Sequence, residues 1–318
     1  MSALADRREA GLVGLLVGDA LGVPYEFHPP EEIPAPEAIE FDPPAGFRRA
    51  HFGVPPGTWS DDGAQALVLL DSLLACDGLD LAHFAAGLLR WGREGFMAVN
   101  GSVFDIGSQT ATALNRIGNR VAPDASGPSD ERANGNGGLM RVLPLALWHR
   151  GSDLELAGLA ARQSLPTHGH ARSQACCAIY CLWARAALDG AGDPWRDGLA
   201  RFDACGAAAL FPADELARIL DPANADAARG SGYVLDTLWS AKAAVEGSDG
   251  YAACVRRAIA FGHDTDTTAA VAGGIAGIVH GLEGIPARWR DALRGQALLQ
   301  PLLARLRAAH DRAAAEPE

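Results

Sequence analysis

Stretches in which apolar and polar residues alternate are scarce in this chain of 318 residues, and so are β-branched side chains. This scarcity argues against a protein built from β-strands, because strands favour β-branched residues and show a two-residue hydrophobic period. Alanine and leucine are abundant instead, and apolar residues recur mostly at helical spacing. With 48% hydrophobic residues, the chain can bury a sizeable core. The sequence therefore predicts an all-α protein.

Cysteine pairs of the Cys-x-x-Cys type are absent, although the chain has six cysteines. Most of the cysteines lie in alanine-rich helical segments, where a free cysteine usually behaves as a small buried hydrophobe. Cys176, Cys177 and Cys181 are near enough in sequence to form a ligand cluster, but their helical surroundings favour burial. We assign the cysteines no functional role.

A membrane segment, a secretion signal and a basic surface are also missing. The most apolar stretch, residues 269–282, is interrupted by glycines and is shorter than the ~20 residues that a membrane helix needs. Residues 1–9 carry charges of both signs and lack the apolar core of a signal peptide. The net charge of -12 repels nucleic-acid phosphates and anionic lipids. We therefore expect a soluble cytoplasmic protein that binds neither nucleic acid nor membranes.

Segments with helical periodicity alternate with irregular loops. The predicted helices span residues 5–21, 61–75, 81–93, 107–115, 139–148, 153–164, 171–188, 214–220, 234–245, 251–261, 266–282, 287–299 and 301–310, with Pro301 separating the last two. The loop 29–56 contains three Pro-Pro pairs, and long ordered loops of this kind are often functional. Residues 117–138 form a second irregular stretch, and residues 221–232 a connector. The tail after about residue 308 is expected to fray.

Two of the predicted helices carry glycine at every fourth position. These are Gly14, Gly18 and Gly22 in one helix, and Gly273, Gly277 and Gly281 in the other. Glycine costs ~1 kcal/mol at a helix-interior position, so such a run needs a structural reason. The simplest reason is close approach of the two backbones at the centre of the molecule. These helices would then bring Asp19 and Glu26, together with Asp264 and Asp266, to the same cavity.

Two short acidic motifs occur where a loop enters an apolar helix. They are Ser60-Asp61-Asp62 and Asp264-Thr265-Asp266-Thr267. Each motif alone is explained by helix capping and by the favourable interaction of acids with the helix dipole. Together they provide four carboxylates and the hydroxyls of Ser60 and Thr267, an oxygen ligand set that suits Mg²⁺, Mn²⁺ or Ca²⁺. Four carboxylates in one site would repel one another and raise their pKa values sharply unless divalent cations neutralise them.

The ordered motifs resemble those of the ADP-ribosylglycohydrolase family, which includes ADP-ribosyl-arginine and ADP-ribosyl-serine hydrolases and the dinitrogenase-reductase-activating glycohydrolase. The resemblance extends from residue 11 to about residue 286. The segments that carry it are Gly-Leu-Leu-Val-Gly-Asp-Ala-Leu-Gly (14–22) with Glu26, Trp-Ser-Asp-Asp-Gly (59–63), Phe-Asp-Ile-Gly (104–107), Asn-Gly-Asn-Gly-Gly-Leu-Met-Arg (134–141), Leu-Pro-Thr-His (165–168) and His-Asp-Thr-Asp-Thr (263–267). Each segment alone is weak evidence, whereas the ordered combination is specific.

This resemblance implies an all-α fold consisting of a single compact orthogonal helical bundle with long irregular loops, which forms one domain over residues 1–318. It also implies two divalent cations, Mg²⁺ or Mn²⁺, that hold the ribose distal to adenine. The implied ligands are Ser60, Asp61, Asp62, Asp264, Asp266 and Thr267. The implied reaction cleaves the bond between ADP-ribose and a protein side chain, with arginine favoured and serine as the alternative. A small ADP-ribose derivative is a further implied substrate.

The resemblance extends to catalytic and substrate-binding residues. Glu26 matches a glutamate that contacts and gates the metal site in the family. Asp105 matches an aspartate beside the scissile sugar. Asp62 and Asp266 would serve in catalysis as well. Ordinary helix-end or turn positions would also explain Glu26 and Asp105. The residues implied to contact the nucleotide are Gly135, Asn136, Gly137, Gly138 and His168. A flexible turn and a structural histidine are the alternatives for this second set, and Arg141 could pair with a buried acid instead of a ligand.

Both motifs depart from the usual family pattern. Ser60 and Gly63 stand where the first motif commonly has threonine, and His263 stands where the second motif commonly has glycine. An imidazole at position 263 could contact substrate or merely fill space, and we include His263 among the candidate substrate-binding residues. Both departures bear on substrate identity more than on fold.

Two other functions are compatible with parts of the sequence. Asp264-Thr265-Asp266-Thr267-Thr268 resembles the Asp-x-Asp-x-Thr element of aspartyl-phosphate phosphatases, which requires a preceding β-strand. The second alternative is a non-catalytic ADP-ribose-binding member of the family. The intact acidic residues of both motifs argue against this loss of turnover.

Overall fold

The computed structural model describes residues 3–315, and these residues form sixteen α-helices. The helices are α1 Ala3–Gly22, α2 Asp61–Cys76, α3 Leu81–Glu94, α4 Ser108–Gly118, α5 Pro123–Ser126, α6 Leu143–Trp148, α7 Asp153–Ser164, α8 Ala171–Leu188, α9 Pro194–Ala204, α10 Ala213–Ile219, α11 Ala223–Ala227, α12 Val234–Glu246, α13 Tyr251–Ile259, α14 Thr265–Gly284, α15 Ala287–Ala292 and α16 Gln296–Ala315. Within this range, pairing of the β type is limited to one isolated bridge between Gly135 and Tyr233. The all-α prediction is confirmed.

Helices α1 and α14 pack against each other at the centre of the fold, as the spacing of their glycines predicted. A side chain at Gly14 would collide with the backbone of Gly273, and one at Gly18 with the carbonyl of Ala269. Gly22 lies equally close to the backbone of Asp266. The absence of side chains therefore lets the end of α1 reach the beginning of α14, where the second acidic motif begins.

Several predicted helix boundaries were wrong. Helix α6 begins at Leu143 instead of residue 139, with Pro144 in its first turn, because residues 139 and 140 turn back onto the carbonyl of Asn136. Helix α9 was missed, although Asp193 caps it by accepting from the N–H of Arg196 at 3.0 Å. Short helices α5 and α11 also occupy the two stretches that were predicted to be irregular.

Pro301 does not separate two helices, which corrects the prediction at the C-terminal end. It lies inside α16, and the predicted helix 287–299 breaks instead between α15 and α16. Burial of Leu299, Leu302, Leu303 and Leu306 offsets the hydrogen bond that proline cannot donate. Helix α16 continues to Ala315, so residues 309–315 of the tail that was expected to fray are helical, and residues 316–318 lie outside the described range.

The helices also allow a test for membrane segments. Among residues 3–315, no helix is both long and apolar enough to cross a lipid bilayer.

Candidate active site

Asp19 holds the start of helix α2 in place. Its carboxylate accepts hydrogen bonds from the backbone N–H of Ser60 at 2.8 Å and of Gly63 at 2.7 Å. The side chain is fully buried, and burial raises its pKa to about 7. Asp19 therefore anchors the first acidic motif from behind and does not line the adjacent cleft, contrary to the expectation that it would point into the shared cavity.

Asp62 accepts hydrogen bonds from hydroxyl groups of both acidic motifs. Its Oδ2 accepts from Ser60 Oγ at 3.2 Å and from Thr267 Oγ1 at 3.3 Å, although Thr267 lies 205 positions away in the sequence. Its Oδ1 is buried and has no hydrogen-bond partner. Buried carboxylate oxygens are nearly always satisfied, so this unpartnered atom is a candidate ligand for a cation.

Asp61 is held by a chain of polar side chains behind the cleft. Gln65 Nε2 donates to its Oδ2 at 3.2 Å, and the Oε1 of Gln65 accepts from Arg141 at 2.9 Å. Arg141 also donates to Gln163 and is completely buried. Burial lowers the pKa of Arg141 to about 10. Arg141 therefore supports the Asp61 carboxylate through Gln65 and does not line the cleft.

The start of helix α14 provides the second group of acids. Asp264 makes no side-chain capping bond, and its Oδ2 instead accepts from Asn136 Nδ2 at 2.7 Å. Asp266 is buried, and its Oδ1 accepts from the N–H of Thr267 at 2.8 Å. Carboxylate oxygens of Glu26, Asp264 and Asp266 lie within 4.8 Å of one another. The structure thus brings the two motifs and Glu26 together.

The electrostatics of this cluster favour a bound cation. Burial raises the pKa values of Asp61, Asp62 and Asp266 well above normal, and the neighbouring carboxylates raise them further. Burial likewise raises the pKa of Glu26 to about 10, with further contributions from Asp105 and Asp264. Divalent cations would remove this repulsion, and the carboxylate and hydroxyl oxygens suit Mg²⁺ or Mn²⁺. The residues therefore fit the two cations that the family resemblance implies.

A cleft of about 500 Å³ opens directly onto the acids. One end is lined by Glu26, Asp61, Asp105, Asp264 and Thr267, and the other by residues 134–137, His168 and Tyr233. Arg172, itself paired with Glu215, donates to the hydroxyl of Tyr233 at 3.0 Å. The cleft thus has an acidic end and a polar end, and the cation Arg132 is also part of its lining.

The glycine loop at the polar end of the cleft is packed onto His168. A side chain at Gly137 would lie 2.6 Å from the His168 ring, so glycine is needed for this close approach. Burial lowers the pKa of His168 to about 3, and its Nδ1 lies 2.8 Å from Thr167 Oγ1. Gly135 N–H donates to Gln109 Oε1 at 3.1 Å, whereas Gly138 packs against Ser164 outside the cleft lining. Gly135, Asn136, Gly137 and His168 therefore line the cleft together, and Gly138 does not.

His51 is a site residue that the sequence analysis missed. Its Nε2 lies 2.5 Å from Glu26 Oε2, and ligand atoms of His51, Glu26 and Asp105 lie within 4.8 Å of one another. The His51 ring also contacts the rings of Phe27 and Phe104, at centroid distances of 5.4 Å and 5.1 Å. Its position in the proline-rich loop was the available signal, because that loop was expected to be functional.

Two of the departures from the family pattern, Gly63 and His263, lie outside the cleft lining. A side chain at Gly63 would lie 2.6 Å from Leu16 and 2.9 Å from Trp59, so core packing explains this glycine. His263 has an exposed side chain, and its backbone adopts a positive φ of 59°. Its carbonyl accepts from Phe27 N–H at 2.7 Å, and its own N–H donates to the carbonyl of His28 at 2.6 Å. These two hydrogen bonds join the segment that follows Glu26 to the segment that precedes the second acidic motif.

The phosphatase alternative fails on local structure. Its Asp-x-Asp-x-Thr element must follow a β-strand, whereas Asp264 follows helix α13. The acids at the start of α2 also take part in the same cluster, which the phosphatase interpretation leaves unexplained.

Comparisons with known proteins agree with this geometry. A sequence profile of the family described as ADP-ribosylglycohydrolase matches residues 1–316. An ADP-ribosylarginine hydrolase, Tri1, of Pseudomonas putida (strain GB-1) is 31% identical over 93% of this chain and 76% of its own length. The ADP-ribosyl-[dinitrogen reductase] glycohydrolase of Rhodospirillum rubrum is 28% identical over 91% of this chain and 90% of its own length.

A solved structure is similar as well. A chain of an "ADP-ribosylglycohydrolase-related protein complex" is 32% identical and superposes with a TM-score of 0.78, covering 96% of this chain and 98% of its own. The family match over nearly the whole sequence agrees with the all-α fold and the acidic cleft. The chain belongs to the ADP-ribosylglycohydrolase family and is a hydrolase of glycosidic bonds.

Proposed function

We propose that this protein uses two divalent cations to hydrolyse the bond between ADP-ribose and an arginine side chain of a modified protein. Arginine is favoured because relatives at 31% identity are named ADP-ribosylarginine hydrolases. Serine-linked ADP-ribose and small ADP-ribose derivatives are the competing substrates. The observation that carries the proposal is the unpartnered, buried Oδ1 of Asp62 in a cluster of converging carboxylates.

The cation ligands in this proposal come from both helix starts. They are Ser60, Asp61 and Asp62 from α2, and Asp264, Asp266 and Thr267 from α14. When bound, such cations would orient the sugar through its hydroxyl groups and polarise it. The protein contributes a rigid site, because Asp19 holds one motif and Asn136 holds the other.

Glu26 and Asp105 are proposed to handle protons at the scissile bond. Both line the cleft beside the proposed metal ligands, and a carboxylate oxygen of each lies within 4.8 Å of the other and of a ring nitrogen of His51. A carboxyl group in this position can donate a proton to a leaving group or accept one from water. His51 orients Glu26 through the contact between Nε2 and Oε2.

The other end of the cleft is proposed to hold the ADP portion. Gly137 lets the loop backbone pack against His168, and backbone N–H groups of such a loop can bind phosphate oxygens. His168 supports this loop as a neutral ring, and its edge in the cleft offers a polar contact. Tyr233 presents an aromatic face in the same cleft.

The proposal includes a cytoplasmic setting and an ADP-ribosylated protein as partner, with no role for nucleic acid. All six cysteines are free thiols, as is usual in a reducing compartment. The single compact domain over residues 1–318 also remains part of the proposal.

A hydrolysis panel tests this function. Arginine-linked, serine-linked and O-acetyl ADP-ribose are incubated with the protein in Mg²⁺, in Mn²⁺ and in chelator, and released ADP-ribose is measured. The expected result is metal-dependent release from the arginine-linked substrate. Tight ADP-ribose binding without release from any substrate would instead identify a non-catalytic binder and refute the proposal.

A further inference from the structure

A second cavity borders the cleft on the far side of Glu26. It encloses about 960 Å³ and shares Glu26 and Phe27 with the cleft. Residues 26–29 form one wall, and residues 47–52 of the proline-rich loop form most of the other. We name it the loop cavity. A molecule that fills both spaces must pass Glu26 and the acidic cluster.

Two phenylalanines project from the edge of the loop cavity. Phe27 is 69% exposed and Phe52 is 97% exposed, the two highest values among the large hydrophobic side chains described. An exposed aromatic ring next to a candidate active site favours contact with another molecule, because burying it removes a large apolar area from water.

The backbone holds Phe27 in its exposed position. Phe27 has a positive φ of 66° and the neighbouring His51 one of 48°, values that non-glycine residues rarely adopt. The N–H of Phe27 donates to the His263 carbonyl, and the His51 ring packs against the Phe27 ring. Strained conformations that persist under such restraints are concentrated at functional sites.

We propose that the loop cavity, with Phe27 and Phe52 at its edge, receives the polypeptide that carries the ADP-ribosyl group. This inference rests on the proposed function. The scissile bond joins the ribose to a protein side chain, and the ADP portion occupies the glycine-loop end of the cleft. The polypeptide must then approach from the opposite side of the acids, where the loop cavity lies against Glu26.

The charges of the loop cavity define the chemistry of this polypeptide. Arg48 is exposed on its wall and Arg49 also lines it, whereas the carboxylate of Glu32 is paired with His28 at 2.8 Å. A segment with an apolar residue for the phenylalanines and an acidic residue for Arg48, next to the modified arginine, is complementary to this surface. A small ADP-ribosylated amino acid would occupy the cleft without reaching Phe52.

Steady-state kinetics of Phe52→Ala on two substrates test this inference. An ADP-ribosylated protein and free ADP-ribosyl-arginine are compared, and the ratio of the protein KM to the small-substrate KM should rise about tenfold. Phe52→Tyr should largely restore the KM ratio of the wild-type enzyme. Leu154→Ala removes another exposed apolar side chain, 44% exposed on α7, and should leave the ratio as it was.

The outcomes distinguish this inference from the proposed function. Release from both substrates with an unaltered KM ratio in Phe52→Ala would overturn the inference alone. Conversion of a dimer to a monomer by Phe52→Ala, measured by light scattering, would assign the surface to a second copy of the chain and also overturn it. If the wild-type enzyme hydrolyses neither substrate, the proposed function is overturned, and the inference with it.

Discussion

The two helix starts that form the acidic cluster are held in different ways. At α2, Ser60 accepts from the N–H of Asp62, and Asp19 binds the backbone at two further points. At α14, the side chain of Asp264 makes no capping bond and is tied to Asn136, which lies on the opposite loop. The α2 start is therefore fixed from within the core, whereas the α14 start is fixed across the cleft.

This difference suggests that the α2 start is rigid, whereas the α14 start can respond to a ligand in the cleft. The α2 acids are buried, and the position of the α2 start depends on Asp19 of α1. The bond between Asp264 and Asn136 lies at the junction of the acidic end and the glycine loop, which is the proposed nucleotide site. We expect changes at α2 to act on stability and metal binding together, and changes at Asn136 to act mainly on metal binding and turnover.

Removing a central carboxylate should have the largest effect. Asp266→Ala is expected to reduce turnover by roughly 10³-fold or more, because it deletes a buried oxygen donor of the proposed cation site. The helical circular dichroism spectrum should be retained. Asp214→Ala, which removes an exposed acid from the first turn of α10, is the matched control. Full turnover in Asp266→Ala would refute the assignment of the site.

Metal removal should make stability depend on pH. Burial raises the pKa of Glu26 to about 10 and of Asp19 to about 7, and raises those of Asp61, Asp62 and Asp266 as well. The folded state then holds more protons than the unfolded chain, so unfolding free energy falls as pH rises from about 4 towards 10.

Urea unfolding in chelator at pH 5.5, 7 and 8.5 measures this slope. Adding Mn²⁺ should restore stability most strongly at high pH, since cations compete with protons for the carboxylates. Glu26→Gln should flatten the slope. Stability that increases with pH in chelator would contradict this view of the cluster.

Breaking the bond across the cleft should have an intermediate effect. Asn136→Ala leaves Asp264 without its donor and is expected to lower activity or metal affinity about 10- to 100-fold. Titration of activity with Mn²⁺ detects the loss. Asn119→Ala, at an exposed residue after α4, should leave the titration unaltered. Identical Mn²⁺ curves for both variants would mean that the α14 start does not depend on Asn136.

The smallest effect is expected from two serine caps. Ser60→Ala and Ser152→Ala each remove an N-cap and should each lower the unfolding free energy by about 1 kcal/mol. Only Ser60→Ala should also weaken the response of activity to Mn²⁺, and Ser60→Thr should retain that response. Equal metal responses in the two alanine variants would reduce Ser60 to a cap.

Much of the fold followed from local pattern. Helical periodicity predicted the main helices, and the glycine spacing of α1 and α14 predicted their contact, because only small residues permit that approach. Pro301 misled the prediction, since a helix end and a packed helix with one missing hydrogen bond look alike in sequence. The prediction missed α9 although Asp193 and Pro194 are ordinary signals of a helix start.

The sequence predicted most of the residues that line the site, but it did not predict all of their contacts. The glycine loop and His168 were found through family resemblance, and the structure places them at one end of the cleft. His51 escaped detection because it approaches Glu26 from an irregular loop, where no periodicity reports the direction of a side chain. Gly63 was interpreted as a change in specificity, whereas its neighbours Leu16 and Trp59 require it for packing.

The sequence by itself determined that acids and hydroxyls stand at two helix starts and that two glycine-lined helices can pack closely. Only the tertiary structure decided which acids cap and which face the cleft. Asp19 and Asp61 are both buried carboxylates near the start of α2, yet one binds backbone N–H groups and the other lines the cleft. Capping and metal binding use the same oxygen atoms, so their roles depend on which partners folding brings within reach.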